Sequence, residues 1–104
     1  MQRLKHSFLL VFICSILFSQ HRGDSVVRQG VDAFFNYEYE KSIEILSNAR
    51  VEFYEHPVVH TVWAAAWYQF DQSQFSADTV YSKFETRLNE IEQIYDSLLI
   101  KYPE

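Results

Sequence analysis

The sequence predicts an all-α protein of antiparallel helical hairpins, with about four helices following an N-terminal export segment. Three observations carry that expectation. Apolar residues recur every three or four positions from Ser25 almost to the end of the chain, the spacing that gathers them on one helical face. Breaks at Tyr37-Glu38, at His56-Pro57 and in the polar stretch 71–76 divide this pattern into four segments. The composition, 48% apolar and 17% aromatic with two Gly and two Pro in 104 residues, excludes a disordered chain and a Gly/Pro-rich fibre and allows one small domain.

Residues 1–19 precede that domain. Arg3 and Lys5 form a basic start, and the nearly uninterrupted apolar run 7–18 follows, the layout of a secretory signal peptide. Twelve residues are too few to cross a bilayer comfortably, which takes about 20. Cleavage after Ser19 leaves Gln20 at the mature N-terminus, and an uncleaved membrane anchor is the alternative. The single cysteine, Cys14, lies inside the apolar run. Phe12-Ile13 before it are too bulky for lipoprotein processing, so Cys14 reads as one more apolar residue of the leader. The mature chain then has no thiol, hence no disulfide, thiolate metal site or cysteine nucleophile. It keeps seven of the nine basic and all 14 acidic residues, which moves the formal charge from −5 to −7. That balance supplies no basic face for nucleic acid.

Residues 20–24 are polar and read as a flexible N-terminus ahead of a helical domain over 25–104. They include Arg22-Gly23-Asp24, the tripeptide that integrins recognise, although Asp24 or Ser25 reads more simply as the cap of the next helix. Val26, Val27, Val31, Phe34 and Phe35 give the stripe of a first helix ending near Asn36. Tyr39, Ile43, Leu46, Ala49 and Phe53 give a second. His56-Pro57 closes it, because the residue before proline is pushed out of the helical region, and Pro57 is placed to open a third helix. Val58, Val59, Val62, Trp63, Ala66, Trp67 and Phe70 make that third helix the most apolar. Residues 71–76 read as the one substantial loop. After Ser76 or Asp78 as cap, Val80, Tyr81, Phe84, Leu88, Ile91, Tyr95, Leu98 and Tyr102 continue a long fourth helix, one end of which projects or packs on something else.

Gly30, Tyr39, Ser42, Leu46, Ala49 and Pro57 together resemble the signature of a tetratricopeptide repeat. In that motif small residues let the two helices of a hairpin touch, an aromatic follows the turn, and proline closes the unit. Pro57 comes about three residues late. A second, degenerate unit fits between Pro57 and Pro103, 46 residues on, against about 34 for a regular copy. The resemblance implies a concave surface made by the first helix of each pair, residues 25–36 and 58–70. On it Asp32, Asn36, His60 and Trp63 are the candidate partner-groove residues. Two units fall short of the three or so usually needed for a stable array.

Candidate chemistry is sparse. His56 and His60 are four apart with Glu52 and Glu55 nearby, a spacing to weigh as a metal site. Pro57 starts a new helix between them, so His60 reads as a partly buried helix residue and His56 as a helix-ending or capping one. The serines lack a Gly-rich elbow, and no phosphate loop or dinucleotide fingerprint occurs. No catalytic, cofactor or metal residue is assigned, and neither an enzymatic activity nor a cofactor is expected. The sequence therefore points to a periplasmic or extracellular interaction scaffold or adaptor that binds a protein or peptide, or itself. The alternative is the N-terminal piece of a longer envelope protein whose chemistry lies downstream.

Overall fold

A computed structural model describes residues 21–101. The expected signal peptide, Cys14 and the closing Pro103 lie outside the described residues. Four helices occur in the order α1 (Asp24–Phe35), α2 (Tyr39–Glu52), α3 (Val59–Gln72) and α4 (Ala77–Lys101), and no strand occurs among the described residues. The protein is all-α, as its apolar spacing requires. Each helix packs on its successor, with a slighter contact between α1 and α3.

The first hairpin closes around small residues. Gly30 faces Leu46, and a Cβ on Gly30 would lie 2.5 Å from Leu46 Cγ and Cδ2. Beside it Ser42 Oγ donates to the Gly30 carbonyl over 2.8 Å, which ties α1 to α2 through the second lone pair of a carbonyl already within the α1 ladder. Val27, Leu46, Ala49 and Val59 form the buried core that follows, with Phe53, Val62 and Trp63 packed against it. The connection from α1 to α2 is a Schellman turn: the Glu38 N–H bonds the Ala33 carbonyl and the Tyr37 N–H that of Phe34. Tyr37 occupies the left-handed position usually given to glycine, with φ 62°.

Several boundaries depart from the sequence expectation. Neither Asp24 nor Ser25 caps α1. The cap is Gly23 with φ 84°, where any side chain would run into the Phe53 ring. Asp24 is instead the first helical residue, and its carboxylate turns inward to His56 Nε2 at 2.5 Å. The Arg22-Gly23-Asp24 tripeptide is therefore not presented as a free loop. Helix α3 begins at Val59 rather than at Pro57, because the Val58 N–H donates to His56 Nδ1 over 3.1 Å and holds the chain in a turn. At its other end α3 runs on to Gln72, into the expected loop, and Asp71 is buried.

Helix α4 has 25 residues, close to 37 Å at about 1.5 Å per residue, and overhangs α3. Its C-terminal turns lie over the α2–α3 connection, where the Tyr95 hydroxyl donates to the Pro57 carbonyl over 2.7 Å. Lys101 Nζ also reaches Glu55 Oε1 at 2.9 Å. Among the described residues no helix is long and apolar enough to cross a membrane.

Candidate functional site

The chemistry-bearing side chains of the molecule meet along α3, where α2 and α4 flank it. Trp63 and Trp67 stand one turn apart on this helix, and each carries a guanidinium. Arg50 of α2 stacks on Trp63 with its Cζ 3.6 Å from the ring centroid. Arg87 of α4 lies 4.6 Å from the Trp67 centroid and 6.0 Å from that of Trp63. Cations and rings thus alternate, an arrangement in which each guanidinium sits against the electron-rich ring face.

The polar ends of these side chains are also satisfied. Arg50 Nη2 bonds Glu90 Oε1 at 2.9 Å, and Arg50 Nε donates to His60 Nδ1 at 3.1 Å. Trp63 Nε1 donates to Ser47 Oγ at 3.0 Å. Arg87 Nη1 bonds Asp71 Oδ2 at 2.7 Å, and the side chains of this pair are only 17% and 2% exposed. An aspartate at the C-terminal end of a helix faces the negative end of the dipole, so Arg87 is the group that makes Asp71 tolerable there.

His60 is fully buried. Because its Nδ1 accepts from Arg50, its proton sits on Nε2, which donates to the Tyr54 carbonyl over 2.7 Å. Burial, foremost, pushes its pKa below the ordinary histidine value. The Tyr54 bond and Glu90 oppose that shift, and Arg50 and His56 reinforce it. In the window between the lowered folded value and the ordinary value of about 6.5, the unfolded chain binds more protons than the folded one. Stability contributed by His60 is therefore present above that window and lost as pH falls through it. Urea unfolding of the wild type and His60→Gln should show a steeper loss for the wild type as pH falls below the ordinary histidine value of about 6.5. Parallel curves would remove His60 as the source.

Two grooves flank this network. One, of about 680 Å³, runs between α2 and α4 over α3, with Ser47, Arg50, Val51, Trp63, Glu90 and Ser97 among its walls. The other, of about 670 Å³, lies under the overhanging end of α4 and is walled by Phe53, Tyr54, Pro57, Tyr95, Leu98 and Leu99, with Arg22 at its rim. The four expected partner-groove residues do not form one surface. Trp63 lines the first groove. His60 lies behind it, buried and bonded at both nitrogens, and so is not a surface contact. Asp32 and Asn36 are exposed on and beside α1, and neither lines these two grooves. The first groove opens between α2 and α4 across α3 and the second under the end of α4, not on the paired first helices that the repeat resemblance implies.

Of the repeat-signature residues, Gly30, Ser42, Leu46 and Ala49 meet in the first hairpin. Tyr39 packs edge-on to Phe34 with centroids 5.7 Å apart, and Pro57 is exposed at the corner. His56 and His60 engage separate partners, Asp24 and Arg50. Among the described residues no group of three or more His, Cys, Asp or Glu is placed to hold a metal ion. Comparison of the chain with protein-family models, curated proteins and solved structures finds no match.

Sequence reasoning missed Arg50, Asp71 and Arg87. One signal was available, since His60, Ala64, Trp67 and Asp71 follow one another at steps of four, three and four. That stripe places Asp71 on the same face of α3 as buried His60.

Proposed function

We propose that this is an exported protein of tetratricopeptide-like helical hairpins that serves as a protein–protein interaction scaffold in the cell envelope, with a protein or peptide as its partner. The observation that carries the reading is the 680 Å³ groove edged by Trp63 and Arg50, the residue types that dominate binding hot spots. Arg50 is held there by three separate contacts, so the groove is preorganised and little side-chain freedom is lost on binding. The close Gly30–Leu46 contact and the Ser42 bond beside it support the repeat-like hairpin. The basic start and apolar run of residues 1–19 support export.

The test places a photoreactive amino acid at Val51, which is 80% exposed on the groove wall, and another at Asp32 on α1. In cells producing the full chain, a discrete adduct from position 51 that is absent from position 32 is the expected result. Identical adducts from both positions, or none from position 51, would overturn the assignment. Mass spectrometry of the exported protein should find Gln20 at its N-terminus, and an intact Met1 would favour the anchored form.

A further inference from the structure

Helix α4 is divided by charge in a way that its packing inside the protein does not use up. Asp78, Tyr81, Glu85, Leu88, Glu92, Asp96 and Leu99 are all exposed. At about 100° per residue they fall within an arc of roughly 80°. The cations of the same helix point the other way. Lys83 Nζ stands 4.7 Å from the Phe75 centroid, Arg87 pairs with Asp71, and Lys101 pairs with Glu55. Glu90, on that inner side, is taken by Arg50. Asp78, Glu85, Glu92 and Asp96 have no ion pair among the described residues.

The stripe has a register. Asp78, Glu85 and Glu92 are spaced by seven, Tyr81 and Leu88 likewise, and Leu99 continues the first series. These are a and d positions of a heptad seam, with carboxylates alternating with apolar side chains from Asp78 to Glu92; the next d position, Tyr95, is turned to the Pro57 carbonyl, and Asp96 stands beside the seam. Tyr81 and Leu99 are 68% and 60% exposed, so large apolar surface stays in water along the seam.

We infer that this face of α4 docks a helix of opposite character, one with apolar residues at its d positions and Lys or Arg at its a positions. Charge complementarity selects that occupant. A second copy of this chain would set carboxylates against carboxylates, on a protein whose formal charge is already −5. Anionic nucleic acid or lipid would be repelled in the same way. A basic amphipathic helix covers Tyr81, Leu88 and Leu99 while neutralising three or four acids, and the screened attraction makes the contact dependent on salt. The inference deepens the scaffold reading and rests on it for its biological meaning, yet it uses a surface other than the Trp63 groove. Crosslinking at Val51 and binding at α4 can therefore fail independently.

The experiment titrates the full chain into two fluorescent synthetic peptides of about three heptads, both with Leu at d, one with Lys at a and the other with Glu. Anisotropy should show saturable binding of the Lys peptide alone, weakened about tenfold or more between about 0.05 M and 0.5 M salt. Leu88→Asp should lower the affinity about tenfold or more with unchanged circular dichroism, whereas Lys83→Ala on the opposite side should leave it intact. Glu85→Lys combined with Glu92→Lys should transfer binding to the Glu peptide. No saturable binding, equal binding of both peptides, or indifference to Leu88→Asp would overturn the inference. So would a dimer in sedimentation velocity that Leu88→Asp dissociates, since it would assign the seam to a second copy.

Discussion

Arg87→Ala is expected to cost about 3–5 kcal/mol of folding free energy. Asp71, the partner left behind, has a side chain only 2% exposed. Without Arg87 its carboxylate keeps the desolvation penalty and the repulsion of the α3 C-terminus and loses the charge that offsets them. Trp67 loses its stacked guanidinium at the same time. Small domains have about 5–15 kcal/mol in total, so the variant should be largely unfolded at moderate urea. The charge-free pair Asp71→Asn with Arg87→Met should recover most of the loss, because no buried charge remains and the methionine keeps the apolar stem over Trp67. Arg87→Lys should fall between, since it retains the charge but loses the planar fork and the stacking. Urea denaturation followed by far-UV circular dichroism measures all three. A loss below about 1 kcal/mol for Arg87→Ala would place the pair among ordinary surface ion pairs and contradict its burial.

The helices were legible in the sequence because burial imposes a period on apolar residues. The α2 start at Tyr39 and the α4 start after Ser76 were readable within a residue, since a short turn and a polar cap mark them. The α3 start was not. Pro57 signals a helix opening by local chemistry, but His56 takes the Val58 N–H and delays it, and His56 is fixed in turn by Asp24, distant in sequence. Charged side chains failed for the same reason. Periodicity reports which face of a helix is inward, not which arginine will find an aspartate 16 residues away or a glutamate 40 residues away. The groove residues inferred from the repeat resemblance scattered because His60 is buried against Arg50 and the Tyr54 carbonyl, while Asp32 and Asn36 lie on and beside α1, which touches α3 only slightly.

The close contact between α1 and α2 makes the sign of one substitution depend on another. Leu46→Ala should cost about 2–5 kcal/mol, because Leu46 is fully buried and the neighbouring core can collapse only in part. Gly30→Ala should also destabilise the otherwise native protein. Its new methyl would lie 2.5 Å from Leu46 Cγ and Cδ2, so α1 must back away, which strains the 2.8 Å bond from Ser42 to the Gly30 carbonyl. Overpacking of this kind costs about 1–3 kcal/mol, more than the roughly 1 kcal/mol that alanine gains over glycine inside a helix. With Leu46 already truncated the obstructing atoms are gone. The alanine methyl then fills part of the cavity, the helix-propensity gain is kept, and Gly30→Ala becomes stabilising. The two substitutions should therefore show a coupling of about 1–3 kcal/mol in a double-mutant cycle, with a change of sign in the Gly30 effect. Additive effects within about 0.5 kcal/mol would mean that Gly30 and Leu46 do not press on each other, and that the small residue in α1 does not set the approach of the two helices.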